Sequence, residues 1–278
     1  MRPYFEGWYF KQQGDSSVAL IPSFSRTADG GRAQLQVVTP QGTGCIEYPY
    51  DALKFNRRNL EVSLGENRFS LSGIRLDAKS RDLELKGELD FSGTVRPKYD
   101  IMGPFKAVPL MECRHSVFSL RHSVSGRLTV NGETFSFDRG EGYIEGDRGY
   151  SFPKHYTWVQ GFFKGGSLML SVAEIPFCGF RFTGVVGFVY CGAREYRLAT
   201  YLGARAARDG RRLQVRQGKY LLQLELPEND GHRLSAPVGG RMLRSIRESL
   251  CVGIRCMFKI GENEVLDSYC DMASFEDE

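Results

Sequence analysis

The sequence predicts an all-β protein made of two tandem antiparallel β-barrels with at most one or two short helices, and three observations carry that reading. Apolar and polar residues alternate along short runs, turn dipeptides interrupt those runs too often for helical crossovers, and the chain resembles itself half its length later. Trp8-Tyr9-Phe10-Lys11 returns as Gly161-Phe162-Phe163-Lys164, and Val18-Ala19-Leu20-Ile21-Pro22 returns as Val172-Ala173-Glu174-Ile175-Pro176. Leu60-x-Val62-x-x-Gly65 returns as Leu213-x-Val215-x-x-Gly218. The offsets are 153 (163 against 10), 154 (175 against 21) and 153 (213 against 60). A shared offset over separated segments implies a duplicated unit, one barrel over 1–150 and the second over 151–278, each long enough to close a core.

Taken in order, the predicted strands lie between turn signals. Asp29-Gly30 precedes the run from Ala33 to Thr39. Asn131-Gly132 sits between Arg127-Leu128-Thr129-Val130 and Glu133-Thr134-Phe135-Ser136-Phe137, the pattern of a two-residue hairpin with a type I′ turn. Runs from Leu168 to Ala173 and Gly184 to Tyr190 follow, then turns at Asp209-Gly210, Asp230-Gly231 and Gly261-Glu262-Asn263. One helix is expected, with Met242, Leu243, Ile246 and Leu250 on a common face. A long antiparallel sheet with one apolar face removes its edges by closing on itself, and about eight strands leave an interior that side chains fill or that holds one small ligand. The chain has 2 Trp, 13 Tyr and 19 Phe, enough to line two such interiors.

Composition narrows the function classes. At 278 residues, 41% hydrophobic and 25% charged, the chain is globular rather than disordered or fibrous. The start, Met1-Arg2-Pro3-Tyr4-Phe5-Glu6, carries no signal-peptide run, and no 18 apolar residues follow one another, so a soluble, cytoplasmic protein without stable membrane insertion is expected. Seven cysteines (45, 113, 178, 191, 251, 256 and 270) without a CxxC pair read as reduced thiols packed as small apolar groups. A net charge of +4 speaks against nucleic acid, and the basic stretch Arg205, Arg208, Arg211, Arg212, Arg216 and Lys219 reads as a solvated hairpin around Asp209-Gly210. Elbow, phosphate-loop and His-Glu-x-x-His motifs do not occur, and hydrolase, kinase and dehydrogenase readings fall away. His115 and His122 are seven apart and fall on opposite faces of one strand, while Cys113 and His115 share a face without further ligands, so neither metal nor cofactor is called for.

Phe5-Glu6-Gly7-Trp8-Tyr9-Phe10-Lys11, the stretch from Gly142 to Pro153, and Tyr156-Thr157-Trp158-Val159-Gln160 together resemble the tocopherol cyclase family. Met111-Glu112-Cys113-Arg114-His115 resembles that family's bacterial members, and the similarity runs in order from Tyr4 to Phe275. The family is similar in turn to two-barrel lipocalin-like proteins that include carotenoid hydratases and some pericyclic-reaction enzymes, so the resemblance implies two lipocalin-like barrels. Where plant and cyanobacterial members carry a Lys-Asn-Trp-Gly type sequence, this chain has Gly146-Asp147-Arg148-Gly149, a cation in place of an aromatic.

The resemblance implies a hydrophobic prenylated or polyene ligand. Closing a chroman ring requires protonating an alkene and capturing the tertiary cation with the phenol oxygen before water arrives. A barrel interior excludes water and raises a carboxyl group's pKa. Glu145 is the first candidate acid, with Asp147 and Glu6 behind it. Trp8, Tyr9, Tyr156 and Trp158 are candidates for cation stabilisation and Gln160 for orienting the oxygen, and His115, Arg148 and Phe152 complete the ligand-binding set from the matched motifs. Two other readings stay open: a non-catalytic intracellular carrier, and barrels filled by their own side chains. Monomer and dimer both remain open.

Overall fold

The computed structural model describes residues 2–109, 111–177, 179–228 and 230–278. Cys178, one of the seven expected thiols, lies outside them. Among the described residues the chain is strand, turn and three short 3-10 segments, Tyr50–Ala52, Gly103–Ala107 and Thr200–Leu202, with no α-helix.

The first sheet has twelve strands: β1 (Tyr4–Gln13), β2 (Ser17–Thr27), β3 (Gly30–Thr39), β4 (Gly42–Pro49), β5 (Leu53–Asn56), β6 (Glu61–Leu64), β7 (Asn67–Ser70), β8 (Gly73–Lys79), β9 (Glu84–Val95), β10 (Cys113–Val130), β11 (Glu133–Ser136) and β12 (Gly140–Gly149). Their spatial order is β4-β3-β2-β1-β12-β10-β9-β8-β7-β6-β5, with β11 paired to β10. The second sheet has ten: β13 (Tyr156–Phe163), β14 (Gly166–Phe177), β15 (Phe180–Cys191), β16 (Arg194–Ala199), β17 (Arg205–Asp209), β18 (Arg212–Gln217), β19 (Tyr220–Glu225), β20 (His232–Val238), β21 (Arg241–Ile260) and β22 (Asn263–Asp277). It runs β16-β15-β14-β13-β22-β21-β19-β18-β17, with β20 paired to β21. These are two tandem lipocalin-like antiparallel barrels, each wound as a meander that the last strands close back onto the first. The chain forms two compact units, 1–97 with 111–152 and 232–245, and 98–110 with 153–231 and 246–278.

The repeat survives in facing and in part in register. Phe10 and Phe163, Val18 and Val172, and Val62 and Val215 each pack in their own barrel core. Gly65 and Gly218 occupy equivalent turns after β6 and β18, with φ of +58° and +55°, a backbone that glycine adopts without strain. The leading hairpins differ: Phe10 pairs with Leu20, whereas Phe163 pairs with Gly166 at the very turn. Unit one therefore has a longer first hairpin, and the matched segments keep their inward faces while their strand pairing shifts.

The expected I′ hairpin is present, with Asn131 at φ +49°, Gly132 at +85° and Val130 paired to Glu133. The expected helix around Met242 is instead part of β21. Met242, Ile246 and Leu250 are four apart, a spacing that satisfies a period of two as well as one near 3.6, so the pattern does not separate strand from helix. Leu243 breaks the tie, at 73% exposed while Ile246 is buried. The six described cysteines are free thiols, but Cys45 is exposed rather than packed. In the basic hairpin, Arg205, Arg212 and Arg216 face solvent, and Arg208 forks onto Asp277 at 2.6 and 2.8 Å. Among the described residues no helix is long and apolar enough to cross a membrane.

Candidate functional site

β12 lies between β1 and β10, and its alternation divides the candidate residues. Tyr9 pairs with Glu145, Gly7 with Asp147, His115 with Asp147, and Val117 with Glu145. Directly opposed residues share a face. Tyr9, Tyr143, Glu145, Asp147 and His115 therefore stand on one side of the sheet. Glu6, Trp8, Phe10 and Gln12 stand on the other, where Trp8 and Phe10 join Ile144, Phe24 and Leu35 in the barrel core. Trp8 and Tyr9 are neighbours in sequence and line opposite faces.

On the first face the polar groups touch. His115 Nδ1 lies 3.0 Å from Asp147 Oδ1, and His115 Nε2 lies 3.2 Å from Glu145 Oε2, both at ion-pair distance. The Tyr143 hydroxyl donates to Glu145 Oε2 at 2.6 Å, and the Cys113 thiol donates to Asp147 Oδ1 at 3.3 Å. Glu145 is 5% exposed. Burial alone would push the His115 imidazole toward neutrality, but the Glu145 and Asp147 carboxylates outweigh it and hold its pKa well above the usual value. The protonated form of His115 is thus the one favoured between the two acids. Burial and the same carboxylates push the Tyr143 phenol and the Cys113 thiol well up, so both keep their protons.

Glu6 has a different environment. Arg57 Nε binds its Oε1 at 2.6 Å, a second Arg57 nitrogen grips Oε2, and the Tyr4 hydroxyl donates to Oε2 at 2.9 Å. Burial and the Glu6 carboxylate push the Tyr4 phenol up to about 12. Rings of Tyr4, Trp8, Phe24 and Phe55 pack around this pair, Trp8 and Phe55 with centroids 5.3 Å apart. Arg148 pairs with Glu6 in register on this second face, and Phe152 packs edge-on to Phe5 at 5.4 Å near the end of the unit.

Tyr156, Trp158 and Gln160 belong to β13 and the second unit. All three are buried and alternate away from the core residues Val159 and Phe163. The Tyr156 hydroxyl donates to Glu276 Oε2 at 2.5 Å. Neither side-chain polar atom of Gln160 has a hydrogen-bond partner among the described residues. Of the expected set, the structure thus brings together Glu145, Asp147, His115 and Tyr9, sets Glu6, Trp8 and Arg148 on the opposite face, and holds the β13 residues in the other unit.

Sequence reading did not single out Tyr143, although its place two residues before Glu145 puts it on the same face of a strand. It also did not find the polar group within the first core: His122 and Gln12 both flank Gly142, and a Cβ there would collide with both side chains. The Ser119 hydroxyl lies 2.9 Å from His122 Nδ1, and burial drives the His122 pKa down to about 3.

Ligand atoms of His115, Glu145 and Asp147 lie within 4.8 Å of one another, close enough to consider a metal ion. The two carboxylates, however, address different nitrogens of one ring, from opposite edges, rather than converging on a common point. The donor arrangement fits a shared proton better than an ion.

No protein-family model and no curated protein sequence matches the chain. Solved structures do. CghA, determined with Sch210972 and also alone, is similar at a TM-score of 0.64 and 12% identity, covering 99% of this chain and 88% of CghA. Kievitone hydratase from Nectria haematococca is similar at a TM-score of 0.53 and 12% identity, covering 100% of this chain and 89% of the hydratase. At that identity the likeness is one of fold: this chain shares the overall two-barrel architecture with these structures.

Proposed function

We propose that the protein binds a hydrophobic prenylated or polyene molecule and, like the tocopherol cyclases its motifs resemble, catalyses an acid-assisted ring closure or isomerisation. The observation that carries this reading is the placement of buried His115 within 3.0 and 3.2 Å of the Asp147 and Glu145 carboxylates, on the same sheet face as Tyr9 and Tyr143. Buried titratable groups with specific charge partners mark candidate proton-transfer sites. The fold's known examples agree in kind: one is named a hydratase, and another was solved with a small molecule bound.

In this reading Asp147 fixes the ring through Nδ1, and the proton on the opposite edge is shared toward Glu145, the group that faces the ligand. Ring closure takes one proton onto an alkene carbon and releases one from the phenol oxygen as the new C–O bond forms. Glu145 delivers the first and receives the second, with His115 holding the reserve, so the cluster ends as it began. Tyr9 offers a ring face to the developing cation. Glu6, saturated by Arg57 and Tyr4, has the role of holding the barrel mouth. Tyr156, Trp158 and Gln160 are ligand-binding groups of the second unit, with the Gln160 amide able to donate and accept at once.

The test is turnover of a prenylated hydroquinone in D2O, with mass spectrometry reading deuterium on carbon in the ring-closed product. Wild type should label one carbon position, and Glu145→Gln should lose at least about a hundredfold in rate while staying folded and retaining the product. Normal turnover by Glu145→Gln refutes the assignment. An unchanged hydrophobic molecule extracted from both wild type and variant, with no turnover by either, favours a carrier.

A further inference from the structure

The row of residues that crosses the sheet through Asp147 continues past the proton cluster. His115 pairs with Asp147, Asp147 with Gly7, Gly7 with Ser23, and Ser23 with Gln34, so these five occupy one face of β10, β12, β1, β2 and β3. Gly7 leaves bare backbone in the middle of the row. It is partly exposed, and a Cβ there would come within 3.1 Å of Ser23 Cβ and otherwise meet only Pro22 O and Ser23 Cα, at 3.8 and 4.0 Å. The face therefore has a notch whose floor is open, with Asp147 on one side and Ser23 on the other.

Beyond the notch stand two polar side chains the fold does not use. Ser23 is 4% and Gln34 9% exposed, yet Ser23 Oγ and Gln34 Nε2 have no hydrogen-bond partner among the described residues. An amide on this strand face can be satisfied: Gln36, two residues along β3, donates to Ser235 O at 3.1 Å and accepts from Ser235 N at 3.0 Å. Ser23 and Gln34 have no such clasp. Buried polar groups without partners weaken a fold, so their presence points to a partner that arrives from outside it.

We propose that Ser23 and Gln34 hold a second oxygen of the substrate, a hydroxyl or carbonyl, while its first oxygen lies at the His115–Glu145–Asp147 cluster and its apolar body crosses Gly7. At about 4.8 Å per strand, Ser23 is about 10 Å and Gln34 about 14 Å from Asp147. The substrate class is then an elongated, uncharged molecule with oxygen functions toward both ends. This rests on the reading of the cluster as the ligand-facing site.

Fluorescence titration with two rigid probes tests it: trans-4,4′-dihydroxystilbene, with a hydroxyl at each end, and trans-4-hydroxystilbene, with one. Wild type should prefer the diol by about tenfold, the effect of one to two hydrogen bonds. Ser23→Ala and Gln34→Leu should each reduce that preference, and together bring it to about one, with the thermal midpoint unchanged or raised. A wild type without the preference, or a double variant that keeps it, overturns the proposal. Asp147→Asn separates the two claims: it should weaken both probes alike. If it weakens neither while the Ser23 and Gln34 variants abolish the preference, the distal subsite stands and the cluster reading falls.

Discussion

Two histidines on one strand have opposite electrostatic fates, and the cause lies in what each faces. His115 meets two carboxylates, which overcome burial and keep it charged; His122 meets the Ser119 hydroxyl and the Phe91 ring, 4.3 Å away, so burial prevails and it stays neutral. The consequences for stability have opposite signs. His115 has a folded pKa raised above its unfolded value, so its contribution is complete below about pH 6.5 and is lost as pH rises through the folded value. His122 has a depressed folded pKa, so the unfolded chain binds the extra proton between pH 6.5 and about 3, and the fold loses stability as pH falls through that window. The limit of that loss is roughly 3 to 5 kcal/mol. His122→Gln should flatten the acid limb of a plot of urea midpoint against pH, and an unchanged limb would remove His122 from the account. Neither fate was legible in the sequence, because a residue seven positions from another reveals the face it occupies but not the groups opposite.

At the scale of the element, β21 shows where pattern reading runs out. A four-residue apolar spacing is common to a helix stripe and to every second position of a strand, and Arg244 and Arg247 between the apolar residues suit either. In the strand, Leu243 and Ile246 face opposite sides. Leu243→Gln should therefore alter stability by no more than about 0.5 kcal/mol, while Ile246→Ala should cost about 2 to 4 kcal/mol, both read from chemical denaturation. Comparable losses at the two positions would favour the helix. The Asn131-Gly132 hairpin was legible because its turn demands positive φ at two successive residues, a requirement few sequences meet. The facing of β1 was not: Trp8 and Tyr9 announce a large aromatic on each side, and only the core shows that Trp8 points in and Tyr9 toward Glu145.

For the molecule as a whole, duplication and alternation sufficed to predict two antiparallel barrels, since both are properties of the chain alone. The sheets are larger than the expected eight strands because the first unit includes the short meander β5 to β8, whose turns at Gly65-Glu66 and Leu71-Ser72 carry weak signals. The candidate site was legible by residue type and not by arrangement. Glu145, Asp147, His115 and Tyr9 converge through pairing between β1, β10 and β12, with β1 more than a hundred residues before the other two in sequence, and no local pattern encodes that register. Glu6 and Trp8 share strand β1 with Tyr9 yet serve the opposite face.

The central claim is that a buried, charged imidazole shared by two carboxylates is the reactive centre, and 15N NMR of histidine-labelled protein reads that charge directly. Wild type should give a His115 signal of the doubly protonated ring at pH 7.5 that persists well above pH 6.5, and Asp147→Asn should shift it to a lower titration point. A neutral His115 at pH 7.5, or a titration that Asp147→Asn leaves unmoved, would contradict it.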